Sequence, residues 1–389
     1  MKSDKIIFLL LLFVTVSCFG QLPKLSPLTK ISILTVGQGD ELASTFGHSA
    51  IRITDKTIGV DVVYGYGTFD FTTSNFYLKF ASGKLNYRIS RLQFKYFIES
   101  YKQENRWVKE HVLDLSSEEK NQLFLFLENN YLPENRDYKY DFLFNNCATK
   151  IWEVLKEVYG DKLVFNESYL EEKFTFRELL HQHLTTNTWS AFGINLALGS
   201  VIDTQATPKE HLFLPIYVFK QLNYATLNKK PLAKNATTLV KERQRETTSF
   251  FLTPWFWLSA IAFAIITITY LDLKKNKRSK WLDFTLFFIT GIAGIIVLLL
   301  WLATDHSATA VNFNFLWVFP LNCVVGFYLI GKKEVPKWII TYLIFLLALI
   351  GITVLLWCIG IQIFSLLFIP LLISFSVRYI YLANCFKKN

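Results

Sequence analysis

Cysteine is scarce in this 389-residue chain, and its placement says more than its number. Of five cysteines, Cys147 is the only one between residues 21 and 250. That excludes a disulfide within this stretch, although exported proteins commonly use them. Cys18 lies in an N-terminal apolar segment, and Cys323, Cys358 and Cys385 lie in an apolar C-terminal region. A lone thiol in an oxidising compartment is a liability unless it is buried or used. Zinc-type spacing is also missing: His181 and His183 are two apart, so on a helix they face different ways, and no metal or cofactor is called for. Polar residues are too few for an ordinary soluble protein, since 52% of the chain is hydrophobic with 36 Phe and 10 Trp. A membrane-embedded part follows. The net charge of +10 sits largely beside hydrophobic spans. It reads as topology and contact with the bilayer surface, and not as nucleic-acid binding.

Residues 1–20 have the form of a secretory signal: Lys2 and Lys5, an apolar core over 6–16, then small residues. Cleavage before Cys18, cleavage after Gly20 and an uncleaved anchor are all open. Residues 21–228 read as an exported domain, 229–252 as a basic juxtamembrane linker, and 253–389 as an all-α transmembrane domain. Five apolar runs, at 255–271, 281–303, 313–330, 338–358 and 361–382, are each near the ~20 residues that span a bilayer. Lysine and arginine are absent from residues 304–312 and from the turn at Gly360, whereas Lys274, Lys275, Lys277, Arg278, Lys280, Lys332, Lys333 and Lys337 fill the alternate loops. The positive-inside rule then puts residues 21–250 outside and the C-terminus inside.

The exported part reads as α+β, an antiparallel sheet plus helices. Residues 31–36, 47–53, 60–66 and 84–90 are strand candidates, and 54–59 makes a hairpin turn. A turn centred between Lys56 and Thr57 sets Arg52 opposite Asp61 as an ion pair, and His48 opposite Gly65, which leaves room beside the imidazole. Asp70, in a Gly-rich stretch (Tyr66-Gly67-Thr68-Phe69-Asp70-Phe71), either orients a histidine or caps the helix-like segment 74–80. Ser116 and Glu119 form a capping box that opens a helix. Arg177, on a helix over 174–183, either binds a phosphate or carboxylate or serves as a packing partner. Asp305-His306, in the outer loop 304–312, either touches lipid headgroups or substrate or is simply solvated.

Cys147 follows Asn145-Asn146 and opens an amphipathic run over 147–159, with apolar residues at Cys147, Ile151, Val154, Leu155 and Val158 and a stop at Gly160. Asn146 as a cap satisfies first-turn N–H groups, and those groups with the helix dipole ease thiolate formation. A buried core cysteine is the alternative. His48 on a strand, 99 residues before Cys147 at a helix start, is the papain-like layout in permuted chain order. Such a pair supports acyl transfer through a thioester, with His48 as base, Asn146 supporting the cap or oxyanion, and water or an amine as acceptor.

Gly47-His48-Ser49-Ala50-Ile51-Arg52, Tyr66-Gly67-Thr68-Phe69-Asp70-Phe71, residues 138–141 with Asn146-Cys147, and residues 304–320 together resemble the Lnb-type lipoprotein N-acyltransferases of Bacteroidetes. The resemblance runs from about Ser32 to Phe386. A weaker, fold-level likeness is to permuted NlpC-type hydrolases and lecithin:retinol acyltransferases. The family resemblance implies a multi-pass bacterial inner-membrane enzyme with its N-terminal domain in the periplasm. It implies a phospholipid acyl donor, a thioester on Cys147 and a diacylated lipoprotein whose N-terminal cysteine amine is the acceptor. A membrane-anchored periplasmic cysteine hydrolase and a non-catalytic lipid or protein binder remain open at this point.

Overall fold

A computed structural model of the chain describes residues 23–242, 249–331 and 335–388. The signal segment 1–20, part of the basic linker and Lys332 and Lys333 lie outside the described residues. Strands β1 (Lys30–Val36), β2 (His48–Asp55) and β3 (Val60–Thr68) are followed by helix α1 (Phe76–Ala81), β4 (Asn86–Gln93), α2 (Phe94–Gln103), β5 (Val108–Val112), α3 (Ser117–Tyr131), β6 (Asp137–Lys139) and α4 (Thr149–Tyr159). Then come β7 (Leu163–Val164), α5 (Phe176–His181), α6 (Trp189–Ala197), α7 (Pro215–Gln221), β8 (Thr226–Leu227), β9 (Lys230–Pro231) and β10 (Thr237–Val240). The main sheet is antiparallel, seven strands in the order β10-β5-β1-β2-β3-β4-β6, and β7-β8-β9 form a small second sheet.

Both faces of the central strands are covered. Ile31, Ile33, Ile51 and Ile53 pack with Leu123 and Phe124 of α3 and Ile151 and Leu155 of α4. Leu34, Val36, Ala50 and Val63 point the other way, against Phe97 of α2. This explains why β1 is buried along its whole length after Lys30. The α3 start has the expected capping box, with Ser116 accepting from the Glu119 N–H and the Glu119 carboxylate accepting from the Ser116 N–H.

The β2–β3 hairpin pairs Thr54 with Asp61, Arg52 with Val63 and Ala50 with Gly65. The sequence expectation of Arg52 opposite Asp61 and His48 opposite Gly65 is therefore two residues out. The physical consequence is small, because side chains alternate with period two and a two-residue shift keeps every residue on its face. Arg52 still reaches Asp61 along the diagonal, Nε to Oδ1 at 2.8 Å, and also bonds Glu110 at 3.1 Å. The end of the 229–252 linker reading is also revised at its start: Thr237–Val240 is a strand of the main sheet, paired with β5, and not a free tether.

The C-terminal part contains α8 (Pro254–Lys275), α9 (Lys280–Leu302), α10 (Asn322–Ile330), α11 (Trp338–Cys358) and α12 (Ile369–Lys388). Among the described residues, four helices are long and apolar enough to cross a membrane: α8, α9, α11 and the stretch Leu366–Lys387. The third apolar run, 313–330, is not a fifth such helix. It is broken into a 3-10 turn (Phe313–Leu316) and the short α10, with Pro320, which cannot donate a helical N–H, between them. The run nonetheless lies antiparallel to α9 from end to end. Thr309 Oγ1 donates to the Leu300 carbonyl at 2.7 Å, and Arg278 Nη2 donates to the Leu329 carbonyl at 2.5 Å. Gly294 permits this approach: a Cβ there would overlap the Val318 carbonyl oxygen.

Two sets of polar contacts hold the parts together. In the helical region the fully buried Arg378 bonds Asp283 through Nε at 2.7 Å and Asp272 through Nη1 at 2.8 Å, tying α12 to α8 and α9. At the domain boundary the loop after α9 is stitched to the end of α6. Asn312 Nδ2 donates to the Leu196 and Ala197 carbonyls, both at 2.9 Å, and the Gly199 N–H donates to the Ala308 carbonyl at 3.0 Å. A buried charge deprived of its partner is costly. Arg378→Ala, which strands Asp272 and Asp283, is expected to remove about 3–5 kcal/mol of stability, with Arg378→Lys recovering only part because the planar fork is lost. Unfolding temperatures in detergent check this.

Candidate active site

Cys147 sits two residues before α4, and the side chain of Asn146 builds its turn. Asn146 Oδ1 accepts from the N–H groups of Ala148 at 2.8 Å and Thr149 at 3.0 Å, the capping role expected of it. Asn146 Nδ2 donates to the Phe142 and Phe213 carbonyls, each at 2.8 Å. Asn146 is 4% exposed. Both amide hydrogens are spent, so Asn146 has none to give an oxyanion, which corrects that half of its expected role. The N–H groups whose field favours a charge on the sulfur are backbone ones, those of Ser49, Cys147 and Ala148.

His48 opens β2 and lines the same cavity as Cys147, about 290 Å³ in volume. Two glycines make the space. A Cβ on Gly65 would come within 3.4 Å of His48 Nε2, and one on Gly67 within 3.8 Å of the Cys147 Cβ. The β3–β4 ladder shifts register between Gly65 and Thr68, and Gly67 there has φ +97°, a bulge that bends the strand beside the site. Of the six histidines, His111, His181, His183, His211 and His306 each have a hydrogen-bond partner. Among the described residues none forms a hydrogen bond to the His48 ring.

Burial dominates the protonation states. The dense surroundings, helped by the Arg106 guanidinium, lower His48 to about 4, so the imidazole is neutral at neutral pH. Burial also raises the Cys147 thiol, against the opposing pull of the Ser49, Cys147 and Ala148 N–H groups and Arg106. The expected easing of thiolate formation is thus present but outweighed. At neutral pH the cavity therefore holds a neutral imidazole and a thiol whose ionisation burial disfavours.

The other sequence candidates lie elsewhere. Asp70 does not orient His48: its carboxylate accepts from the Thr72 N–H at 2.9 Å and pairs with Arg88 at 3.3 Å. It does not cap α1 either, whose cap is Asn75. Arg177 is no ligand site. It is buried and bidentate to Asp203, at 2.6 and 3.0 Å, and its remaining donors reach Asn195 and the Gly199 carbonyl. It braces the segment on which the membrane loop is stitched. Asp305 and His306 act through their place in that loop: the Asp305 N–H donates to the Ser82 carbonyl at 2.9 Å, His306 Nε2 bonds the Ala81 carbonyl at 3.2 Å, and Ser307 Oγ donates to Asp141 at 2.7 Å.

These contacts create an apolar cleft of about 220 Å³ between the domain and the loop, lined by Phe80, Leu85, Leu198 and Ala308 among others. Tyr140 and Phe142 line both this cleft and the cavity of Cys147. Beside it, α1 and its approach leave large apolar side chains uncovered: Tyr77 is 82% exposed, Leu78 71% and Phe71 70%. Sequence reasoning missed Tyr140, Phe142 and Arg106 as site residues. Arg106 in particular carries no motif, only a position before a strand. Among the described residues, no group of three or more His, Cys, Asp or Glu side chains is placed to hold a metal ion.

With this geometry in hand, the comparisons are direct. Residues 25–182 match the Lnb N-terminal periplasmic domain, and residues 245–389 match the Lnb transmembrane domain. The first match contains His48 and Cys147, and the second contains all four long apolar helices. No curated protein and no solved structure matches the chain.

Two expectations follow from the site. In protein lacking the other free thiols, Cys323, Cys358 and Cys385, the rate of Cys147 alkylation by iodoacetamide should still be climbing at about pH 9, whereas a preformed thiolate would plateau near about pH 6–7. Asn146→Asp keeps the cap acceptor but strands the Phe142 and Phe213 carbonyls. It should cost about 1–3 kcal/mol in denaturant unfolding, with Cys147 alkylation altered in parallel.

Proposed function

We propose that this chain, which belongs to the Lnb family, is a lipoprotein N-acyltransferase of the bacterial inner membrane. It moves an acyl chain from a phospholipid to the N-terminal cysteine amine of a diacylated lipoprotein, by way of a thioester on Cys147. The observation that carries this reading is that the Cys147–His48 cavity adjoins an apolar cleft walled by the membrane-domain loop, with Tyr140 and Phe142 lining both. A wall-peptide hydrolase has no use for such a cleft. The exposed apolar side chains of α1 and Phe71 support contact with the outer leaflet, where donor and acceptor both reside.

The chemistry runs in two halves. His48 accepts the Cys147 proton as the sulfur attacks the donor's ester carbonyl, and the oxyanion is met by backbone N–H groups beside the sulfur. The C–O bond breaks, the imidazolium returns the proton to the leaving glycerol oxygen, and a thioester remains. The lipoprotein amine then attacks the thioester carbonyl, His48 takes the amine proton, the C–S bond breaks and the sulfur regains a proton. One ester is consumed, one amide is made, and no cofactor enters the balance.

We read the strand-borne histidine and helix-borne cysteine as a papain-like layout in permuted order. We also count the broken run antiparallel to α9 as a fifth crossing, so that the catalytic domain faces the periplasm and the C-terminus the cytoplasm. The basic loop at Lys274–Lys280 and the 304–312 loop, which has no Lys or Arg, support this orientation.

The test is mass spectrometry of lipoprotein N-termini from cells whose only copy is Cys147→Ser or His48→Ala. Both should lack the N-acyl chain, and unchanged N-acylation in both overturns the proposal. Cells that lose a wall-peptide cleavage while keeping N-acylation favour the hydrolase. Because His48 stays neutral down to about 4, loading of the acyl chain onto Cys147, the half-reaction without the acceptor amine, should hold from pH 7 to about pH 5 and fall only below that. A loss centred near about pH 6.5, where an unperturbed imidazole titrates, would contradict the neutral-base assignment.

A further inference from the structure

Arg106 is a buried cation that the transfer chemistry does not use. It is 4% exposed. Its Nε donates to the Gly37 carbonyl at 2.8 Å, its Nη1 donates to Glu104 at 2.8 Å, and its guanidinium lies over the Tyr101 ring at 4.8 Å. Among the described residues its Nη2 is buried with no partner. A buried guanidinium nitrogen without an acceptor is expensive, and its cost is recovered when an anion arrives.

The surrounding space fits that purpose. Arg106 lines a second cavity of about 620 Å³ that shares Ala43, Gly47, His48 and Tyr101 with the cavity of Cys147. The apolar cleft meets the catalytic cavity through Tyr140 and Phe142, a separate part of its lining. The catalytic cavity is thus flanked by an apolar space on the membrane-loop side and by a polar space that contains Arg106. A glycerophospholipid has the same sequence of parts: acyl chain, ester, phosphodiester. We infer that the Arg106 cavity receives the phosphodiester headgroup of the acyl donor, with Nη2 as a phosphate ligand. This rests on the acyl-transfer reading and deepens it.

The cavity's charges narrow the class of headgroup. Among the described residues, Glu41 lines it together with the Glu104–Arg106 ion pair, so a further carboxylate stands near the cation. Such a site disfavours a headgroup that brings only negative charge, and suits one in which an ammonium follows the phosphate. Free phosphate lacks that ammonium and is selected against for the same reason.

A binding experiment separates this inference from the chemistry. The full chain in nonionic detergent is titrated with short di-ether lipids, whose alkyl chains cannot be transferred: one with a phosphoethanolamine headgroup, one with phosphoglycerol and one with the bare glycerol hydroxyl. Inorganic phosphate is the fourth ligand. The phosphoethanolamine lipid should bind about tenfold or more tighter than the neutral lipid, as a charged hydrogen bond allows, with phosphoglycerol weaker and inorganic phosphate weakest. Arg106→Gln should erase the advantage over the neutral lipid. Glu104→Gln, which leaves the guanidinium in place, should raise affinity for the phosphoglycerol lipid. Equal binding of phosphorylated and neutral lipids by the unaltered chain, or an unchanged preference in both variants, overturns the inference. Intact headgroup preference in a protein that transfers no acyl chain would instead overturn the acyltransferase reading and leave the site standing.

Discussion

Four hydrogen bonds converge on the side chain of Asn146, and the candidate site depends on them. Two come in from the first turn of α4, and two go out to the carbonyls of Phe142 and Phe213. The first pair fixes the turn that presents Cys147. The second ties that turn to the segment preceding α4 and to the segment preceding α7. Phe142 also walls the apolar cleft, so the same amide links the position of the thiol to the position of the cleft. An amide suits this post because it offers two acceptor positions and two donors at once. A carboxylate at 146 could serve only the N–H side, and a hydroxyl has a single hydrogen for the two carbonyls.

The second constraint is dielectric. Around Cys147 and His48 the protein is dense enough that neither group carries a charge at rest. That would be a poor arrangement for a site that must store a thiolate, but it suits one that must hold an acyl thioester against water. In the proposed transfer the charge appears only as the sulfur attacks, and the backbone N–H groups of Ser49, Cys147 and Ala148 favour it. Preorganised donors in a dry site act most strongly on charge that is developing. Arg106 is the one buried cation felt at both residues, and its partial satisfaction links the reactive pair to the polar cavity beyond.

Much of this was legible from residues alone, for reasons that can be named. Strand and helix positions followed alternation and periodicity, and the Ser116–Glu119 capping box was recognisable from spacing. The single exported cysteine and the asparagine before it pointed to the thiol, and the glycine beside His48 pointed to open space. Failures came where non-local packing decides. A register shift of two leaves the apolar pattern unchanged, so pattern could not detect it. Asp70 found Thr72 and Arg88 because β4 brings Arg88 alongside, which no local motif encodes. Of the two readings open for Arg177, packing partner is the one the fold takes, and its partner Asp203, 26 residues on, could not be named from sequence. The apolar run at 313–330 has the composition of a span but is not one continuous helix, because Pro320 interrupts it. Arg106 was passed over because a cation becomes interesting only when burial leaves a nitrogen unpaired.

The account stands or falls on a covalent bond at one atom. Full-length protein in vesicles of diacyl phospholipid, with no lipoprotein present, should acquire the mass of a single acyl chain on Cys147. Hydroxylamine should release it, and adding a diacylated lipoprotein should discharge it. His48→Ala should fail to load, although Cys147 is present. Absence of an acyl adduct on Cys147 while the same preparation N-acylates lipoprotein, or an adduct that loads equally without His48, would contradict it.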